Sequence, residues 1–274
     1  MRKIYVIQTR FSVFNKNIAS IWRLGRNRSE AEVVAELFDK KRLELRCNIF
    51  FNISLPLLHK AYLAGHEIFH SLLYSTHLPD WVVNKIEAAK DCYCWFHPLG
   101  VGYEEEVPFY SSIKQIVDAI SINELEDIAY AGIRLDDDDL ISTSYFNKLS
   151  RYVDQPFSGF AVSFPRGFAG MWEENDYMSF SEFYEPKNAQ GLAQINIYNK
   201  VTKKFNEPYL LVPGGHLTID ERVPTILDAT GKGVFLRTFH SNNDIAIDRN
   251  MSEYIKNIMR NTIDFNPISL LEAI

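Results

Sequence analysis

Four consecutive carboxylates, Asp136, Asp137, Asp138 and Asp139, follow closely on the apolar run Ile128-Ala-Tyr-Ala-Gly-Ile133 and are closed on the far side by Leu140-Ile141. Like charges this close repel one another and oppose folding unless solvent, a cation or basic neighbours compensate. A divalent cation is the economical compensation. Both flanks are apolar, so the backbone of the run is anchored in the core, which sets it apart from a solvated acidic turn. Hard oxygen ligands suit Mg²⁺ or Mn²⁺, ions that bridge phosphate oxygens and stabilise the charge developing on a nucleoside diphosphate as it leaves. Carboxylates two apart at a strand end can divide the work between ribose and metal. An EF-hand is excluded, because the alternating ligand spacing and the closing Glu are both missing.

Hydrophobic periodicity gives the elements that must hold this run. Ile4 to Ile7 is a short β-branched stretch, a buried first strand that opens through Thr9-Arg10-Phe11 into a loop carrying Arg23, Arg26 and Arg28. From Ser29 through Ala64 apolar residues recur at helical spacing, with Ser29 as the start, Pro56 as a kink and Gly65 as the stop. Ile68 to Tyr74 reads as the second strand, Asp80 to Lys90 as a helix and Cys92 to Phe96 as the third strand. A helix from Pro108 to Ile120 leads into the fourth strand and the aspartates. The order βαβαβαβ favours an α/β fold with a mainly parallel central sheet flanked by helices, whose ligands gather at the carboxyl ends of the strands. Thr9, Arg10, Ser75, His97 and the aspartates occupy such ends. A helix near Ser144 to Val153 is followed by strand runs at Gly159 to Phe164, Tyr177 to Phe183, Tyr209 to Val212 and Val234 to Phe239, a mixed α+β carboxyl-terminal half.

The 274 residues, 46% hydrophobic, suffice for one substantial core, and no linker or repeat divides them. The expectation is one domain, with a nucleotide-binding half over 1–143 and a second half over 144–274. A net charge of −6 argues against nucleic acid as a partner. The amino-terminal apolar run is too short for a signal peptide, and no stretch approaches the roughly 18 to 20 apolar residues of a membrane span. A cytoplasmic protein is expected. Cys47, Cys92 and Cys94 read as reduced core thiols, since Cys-x-Cys alone lacks the second ligand pair of a structural zinc site.

Arg134-Leu-Asp136-Asp-Asp138-Asp139 resembles the metal-binding DxD signature of GT-A fold glycosyltransferases, in the Asp-x-Asp-Asp form that follows the fourth strand. Together with Thr9-Arg10-Phe11 and Phe239-His240-Ser-Asn242, it resembles the bacterial "putative rhamnosyltransferase" family. The resemblance implies a GT-A-like fold and a soluble transferase. Its donor would be a nucleotide sugar, its acceptor a saccharide or glycolipid, and it would associate with membranes only peripherally, through that acceptor. Residue by residue, it implies that Asp136 faces the ribose or nucleotide, Asp138 binds Mn²⁺ or Mg²⁺, Asp139 supports it, and His240 is the third protein ligand. Thr9 and Arg10 would contact the nucleotide. Arg134 would join them or pair internally with an aspartate.

An inverting transferase needs a base to deprotonate the acceptor hydroxyl. The candidates are Glu173, Glu174, Asp176, Glu182, Glu185, His216, Asp220 and Glu221. Glu185, before a Pro-Lys-Asn turn, and His216, after two glycines, rank highest. Trp172, Tyr177 and Tyr184 are candidates for stacking on an acceptor sugar, although aromatics are more often core. A sugar nucleotidyltransferase also uses paired aspartates and a metal, but its phosphate loop is glycine-rich, and Thr9-Arg-Phe-Ser-Val-Phe14 has no glycine. A non-catalytic metal-dependent carbohydrate-binding module is the other alternative.

Overall fold

The computed structural model describes residues 1–16, 29–122 and 126–240, together with Ile258, Ile263 and Ile268. Arg23, Arg26, Arg28 and Asn242 lie outside the described residues.

An eight-stranded sheet forms the centre, in the order β11-β6-β9-β4-β1-β2-β3, with β10 paired to β9. Its strands are β1 Arg2–Phe11, β2 Ile68–Ser75, β3 Phe96–Val101, β4 Ile128–Arg134, β6 Ala161–Ser163, β9 Leu192–Asn199, β10 Lys204–Phe205 and β11 Thr225–Leu227. β1 pairs in parallel with both β2 and β4, and β2 with β3. β9 runs antiparallel to β4 and β6 on its two sides. The expected α/β arrangement around a mainly parallel central sheet is therefore present, with one reversed strand inserted beside β4.

Side chains of β1 alternate between two cores, as the period of a strand requires. Tyr5 and Ile7 pack with Leu43, Leu58 and Ile86 from helices α2 Lys40–Ile49, α3 Leu55–Leu63 and α4 Asp80–Cys92, and with Phe50 between α2 and α3. Ile4 and Val6 face Ile113, Ile116 and Val117 of α5 Phe109–Ile120 on the other side. Both faces are covered, which is why the strands are continuous apolar runs.

The long helical stretch resolves into three pieces. Ser29 caps α1 Glu30–Leu37 through a capping box with Glu32, Asp39 caps α2, and a π-helical turn over Phe50–Ser54 joins α2 to α3. Pro56 sits in the first turn of α3, directly after the π-helical turn. Gly65 ends the stretch at φ 94°, as expected.

A second sheet, β5-β12-β7-β8, stands beside the first. It comprises β5 Leu140–Ile141, β7 Arg166–Glu173, β8 Asp176–Tyr184 and β12 Phe235–Phe239. Helix α6 Thr143–Leu149 follows β5, with Ser142 as its cap.

Three expectations need correction. The third strand is Phe96–Val101, because α4 continues to Cys92 and a turn follows. Cys92 and Cys94 are consequently exposed, and only Cys47 is a core thiol. The segment from Tyr209 to Val212 is not a strand. It crosses the sheet over Gly132, where a Cβ would stand 1.7 Å from the Leu210 carbonyl oxygen. Among the described residues no helix is long and apolar enough to cross a membrane.

His70 on β2 is fully buried, and its Nε2 lies 2.9 Å from Thr9 Oγ1. Burial, assisted by the charge of His97, lowers its pKa to about 3. Because the folded value is depressed below the unfolded one, its contribution to stability is complete above about pH 6.5 and is lost as pH falls towards the folded value. We expect acid to destabilise the protein through this residue by up to about 1.4 kcal/mol per pH unit below 6. Urea unfolding at pH 7, 6 and 5 should show a flatter pH dependence for His70→Gln than for the wild type. Equal slopes would exclude His70 as the source.

Candidate active site

The aspartates leave the carboxyl end of β4 and turn at once into β5. Antiparallel pairing of β5 with β12, Leu140 opposite Leu236, lays the end of β12 alongside them. The amide of Thr238 donates to Asp139 Oδ1 at 3.1 Å, and Gln190 Nε2 donates to Asp139 Oδ2 at 2.7 Å. One residue beyond β12, His240 Nε2 stands 3.1 Å from Asp138 Oδ2, although 102 residues separate them in sequence. Asp138 and His240 are both buried.

Repulsion within the run is relieved from below. Arg46, on the buried face of α2, bonds Asp137 Oδ1 and places its Nη2 3.2 Å from Asp138 Oδ2. Arg42, one turn earlier, is also buried, donates to Ser12 Oγ at 2.9 Å and adds its charge to the same field. The compensation expected of a metal ion is thus supplied in large part by arginine. Burial raises Asp137 to about 7 against the pull of Arg46. Burial also works against ionisation of Asp138, but Arg46 and the His240 hydrogen bond outweigh it and hold the carboxyl well below its ordinary range. Asp139 is raised by burial and by the charges of Asp138 and Asp136. Among the three buried carboxylates, Asp138 is the one whose ionised form Arg46 and His240 favour.

Asp136 is the most open of the four. Arg10 Nη2, from the end of β1, lies 3.9 Å from its Oδ1, and Arg134 Nη2, from the end of β4, lies 3.8 Å away. Two guanidinium groups around one carboxylate at the ends of adjacent parallel strands form a polar rim suited to phosphate and hydroxyl groups. Thr9 does not belong to it. Its side chain is fully buried, and its hydroxyl donates to the Leu135 carbonyl at 2.9 Å while lying within hydrogen-bond distance of His70. Thr9 supports the loop from beneath instead of contacting a nucleotide.

On the other side, Glu185 and His216 approach the same rim. His216 feels the charges of Arg134, Glu185 and Asp136. Its Nδ1 is 2.7 Å from the Lys187 carbonyl, which fixes the proton on Nδ1, and among the described residues Nε2 has no hydrogen-bond partner. Burial lowers its pKa, only partly offset by the carbonyl. A neutral imidazole with a bare Nε2 is a proton acceptor. Glu185 is committed elsewhere: Arg237 Nη1 is 2.9 Å from its Oε2, and the Arg237 guanidinium lies over the rings of Phe239 and Phe183 at 5.1 and 5.6 Å. Among the remaining candidates, Asp220 pairs with Lys187, and Glu173, Glu174 and Asp176 sit at the exposed tip of the β7–β8 hairpin. Trp172 and Tyr177 are buried against each other, edge to face at 4.8 Å, so neither offers a face to a sugar. Arg46, Gln190 and Arg237 were not identified in the sequence.

The sequence matches, over residues 5–251, the family described as "Putative rhamnosyl transferase". The chain belongs to this family. No curated protein matches the sequence. Among solved structures, S. aureus TarS 1-349 is 12% identical, covering 100% of this chain and 70% of that one at a TM-score of 0.39. A "putative glucose-1-phosphate thymidylyltransferase" from Bacillus anthracis in complex with a sucrose is 8% identical over 97% and 98% at 0.35. The inositol-1-phosphate CTP transferase from T. maritima is 9% identical over 94% and 96% at 0.32. At these TM-scores the likenesses carry no functional argument, and the reading rests on the rhamnosyl transferase family and on the residues themselves.

Membership of a glycosyltransferase family raises the question of a divalent cation. Asp138 and His240 bring a carboxylate oxygen and an imidazole nitrogen to a single point. No group of three His, Cys, Asp or Glu converges among the described residues, so substrate oxygens and water would complete the coordination.

Removal of Arg46 leaves Asp137 and Asp138 buried without their cation. We expect Arg46→Met to cost about 3–5 kcal/mol of stability. The same change should cost about 1–3 kcal/mol less in an Asp137→Asn background, because contacting charges couple. A double-mutant cycle by urea unfolding measures this, and additive effects would show that the pair does not cooperate.

Proposed function

We propose that this chain transfers a glycosyl group, with rhamnose the leading candidate, from a nucleotide-sugar donor to a saccharide or glycolipid acceptor, with Mn²⁺ or Mg²⁺ bound by Asp138 and His240. The observation that carries the reading is the contact of these two buried side chains at the carboxyl end of the central sheet. Asp139, held by Thr238 and Gln190, anchors the turn that presents Asp138. Arg46 keeps Asp138 ionised. Arg10 and Arg134 would take the phosphates, and Asp136 the ribose hydroxyls. A bound cation would neutralise charge on the leaving diphosphate.

His216 is the base of this mechanism. Its Nε2 accepts the proton of the acceptor hydroxyl while that oxygen bonds to the anomeric carbon, and the bond from the anomeric carbon to the diphosphate oxygen breaks with both electrons. The nucleoside diphosphate leaves as the anion. A base opposite the leaving group supports inversion at the anomeric carbon. Glu185 is set aside from that role by its ion pair with Arg237 and helps shape the acceptor side through it.

A donor panel read by released nucleoside diphosphate tests the proposal, with dTDP-rhamnose, UDP-glucose, GDP-mannose and UDP-glucuronic acid, each with Mn²⁺ and with excess chelator. Turnover of dTDP-rhamnose that needs the cation is expected. Asp138→Ala and His240→Ala should each lower it by about 100-fold or more, an effect of several kcal/mol, with cooperative melting retained. Turnover of another donor alone would remove rhamnose, and full activity in chelator would remove the metal.

A further inference from the structure

Three segments act on His216: Arg134 and Asp136, at the end of β4 and in the acidic loop, and Glu185, in the turn after β8, through their charges, Lys187 of that same turn through a hydrogen bond, and Asp220 of its own 3-10 turn, His216–Glu221, through an ion pair with Lys187. The contact that determines which ring nitrogen carries the proton is the 2.7 Å hydrogen bond to the Lys187 carbonyl. That carbonyl is aimed by an unusual backbone, since Lys187 has φ 57°, a left-handed conformation that a side-chain-bearing residue seldom adopts. A second tie holds the same residue: Lys187 Nζ lies 2.8 Å from Asp220 Oδ1, four residues beyond His216. The base of the turn is fastened independently, because Arg222 donates to the carbonyls of Pro213 and Gly215 and to Thr218 Oγ1. One residue of the first loop, Lys187, thus grips two residues of the other, His216 through its carbonyl and Asp220 through its ammonium.

We propose that Lys187 is the positioning residue for the base, its carbonyl locking His216 with Nδ1 protonated and Nε2 bare, and its ammonium clamped by Asp220 to keep that carbonyl in place. The inference rests on the reading of His216 as the base, but its first consequence concerns the ring alone. With the clamp intact, Nε2 points a lone pair outward at neutral pH. Without it, the two tautomers mix and the ring loses the one contact that favours its protonated form apart from the carboxylates of Glu185 and Asp136. The assignment also gives Asp220 a place other than that of a base.

Nitrogen-15 histidine NMR on the full chain reads the tautomer directly. His216 in the wild type should show a protonated Nδ1 and an unprotonated Nε2 at pH 7.5. A protonated Nε2 would overturn the proposal without any variant. In Asp220→Asn and Lys187→Met the tautomers should mix and the ring should titrate at lower pH, whereas Lys187→Arg should restore the wild-type pattern. The most active donor of the panel supplies the kinetic arm, with release of nucleoside diphosphate as the readout. Asp220→Asn and Lys187→Met should lower kcat about tenfold with donor KM unchanged, a fraction of what a general base contributes. His216→Ala separates the two ideas: wild-type kcat in that variant would remove the base, and the clamp would still stand or fall by the tautomer. Wild-type spectra and kcat in both clamp variants, with His216→Ala inactive, would overturn the clamp alone.

Discussion

Arg46 sets its guanidinium against Asp137 and Asp138 in the interior, and the geometry of the whole site follows from that arrangement. Three buried carboxylates in consecutive positions are costly to desolvate, and a buried charge survives only where a partner and hydrogen bonds meet it. The partner comes from a helix, so α2 must lie where its buried face reaches the end of β4. Its seating depends in turn on the core it shares with Tyr5 and Ile7 of β1. Among the buried carboxylates, Asp138 is the one that Arg46 holds ionised, beside the imidazole of His240.

The second requirement is a return of the chain. β4 delivers the aspartates, but Gln190, Thr238 and His240, which meet Asp139 and Asp138 on the far side, come from beyond residue 189. A two-stranded register, β5 against β12, is enough to bring Thr238 and His240 to them, and Gly191 hydrogen-bonds Arg134 to carry Gln190 into place. This division explains why residues from the two halves of the chain meet at one rim.

The parallel half of the fold was legible because strands covered on both faces are continuous apolar runs between helices with clear caps. The aspartates, Arg10, Arg134, His216 and His240 were legible as residue types at strand and loop ends. Arg46 was not, since a charged residue in a helix with no apolar bias on one side reads as a solvated position until the helix is placed. β9 was hidden by Gln194 and Asn196, which are buried in the strand, and Asn196 ties down the carbonyls of Glu207 and Tyr209. Cys92 to Phe96 looked like a strand because its aromatics are apolar. Those rings instead pack at the foot of the sheet around Trp95. Thr9 was placed correctly in sequence and wrongly in orientation, because alternation along a strand's last residues decides which side chain meets solvent.

The reversed strand has a consequence for how the protein is made. β4 is apolar and buried along its length, and one of its two neighbours is β9. On a ribosome, β1 to β4 and their helices emerge first, and the free edge of β4 then waits for roughly 60 further residues, about 3–12 s at ordinary elongation speeds. During that interval the nascent chain carries an open, uncharged hydrogen-bonding edge of the kind that recruits other strands. The acidic run directly after β4 places like charge at the end of that edge, so two nascent chains would repel where they would otherwise pair. The same carboxylates that later crowd the site therefore guard the half-made sheet.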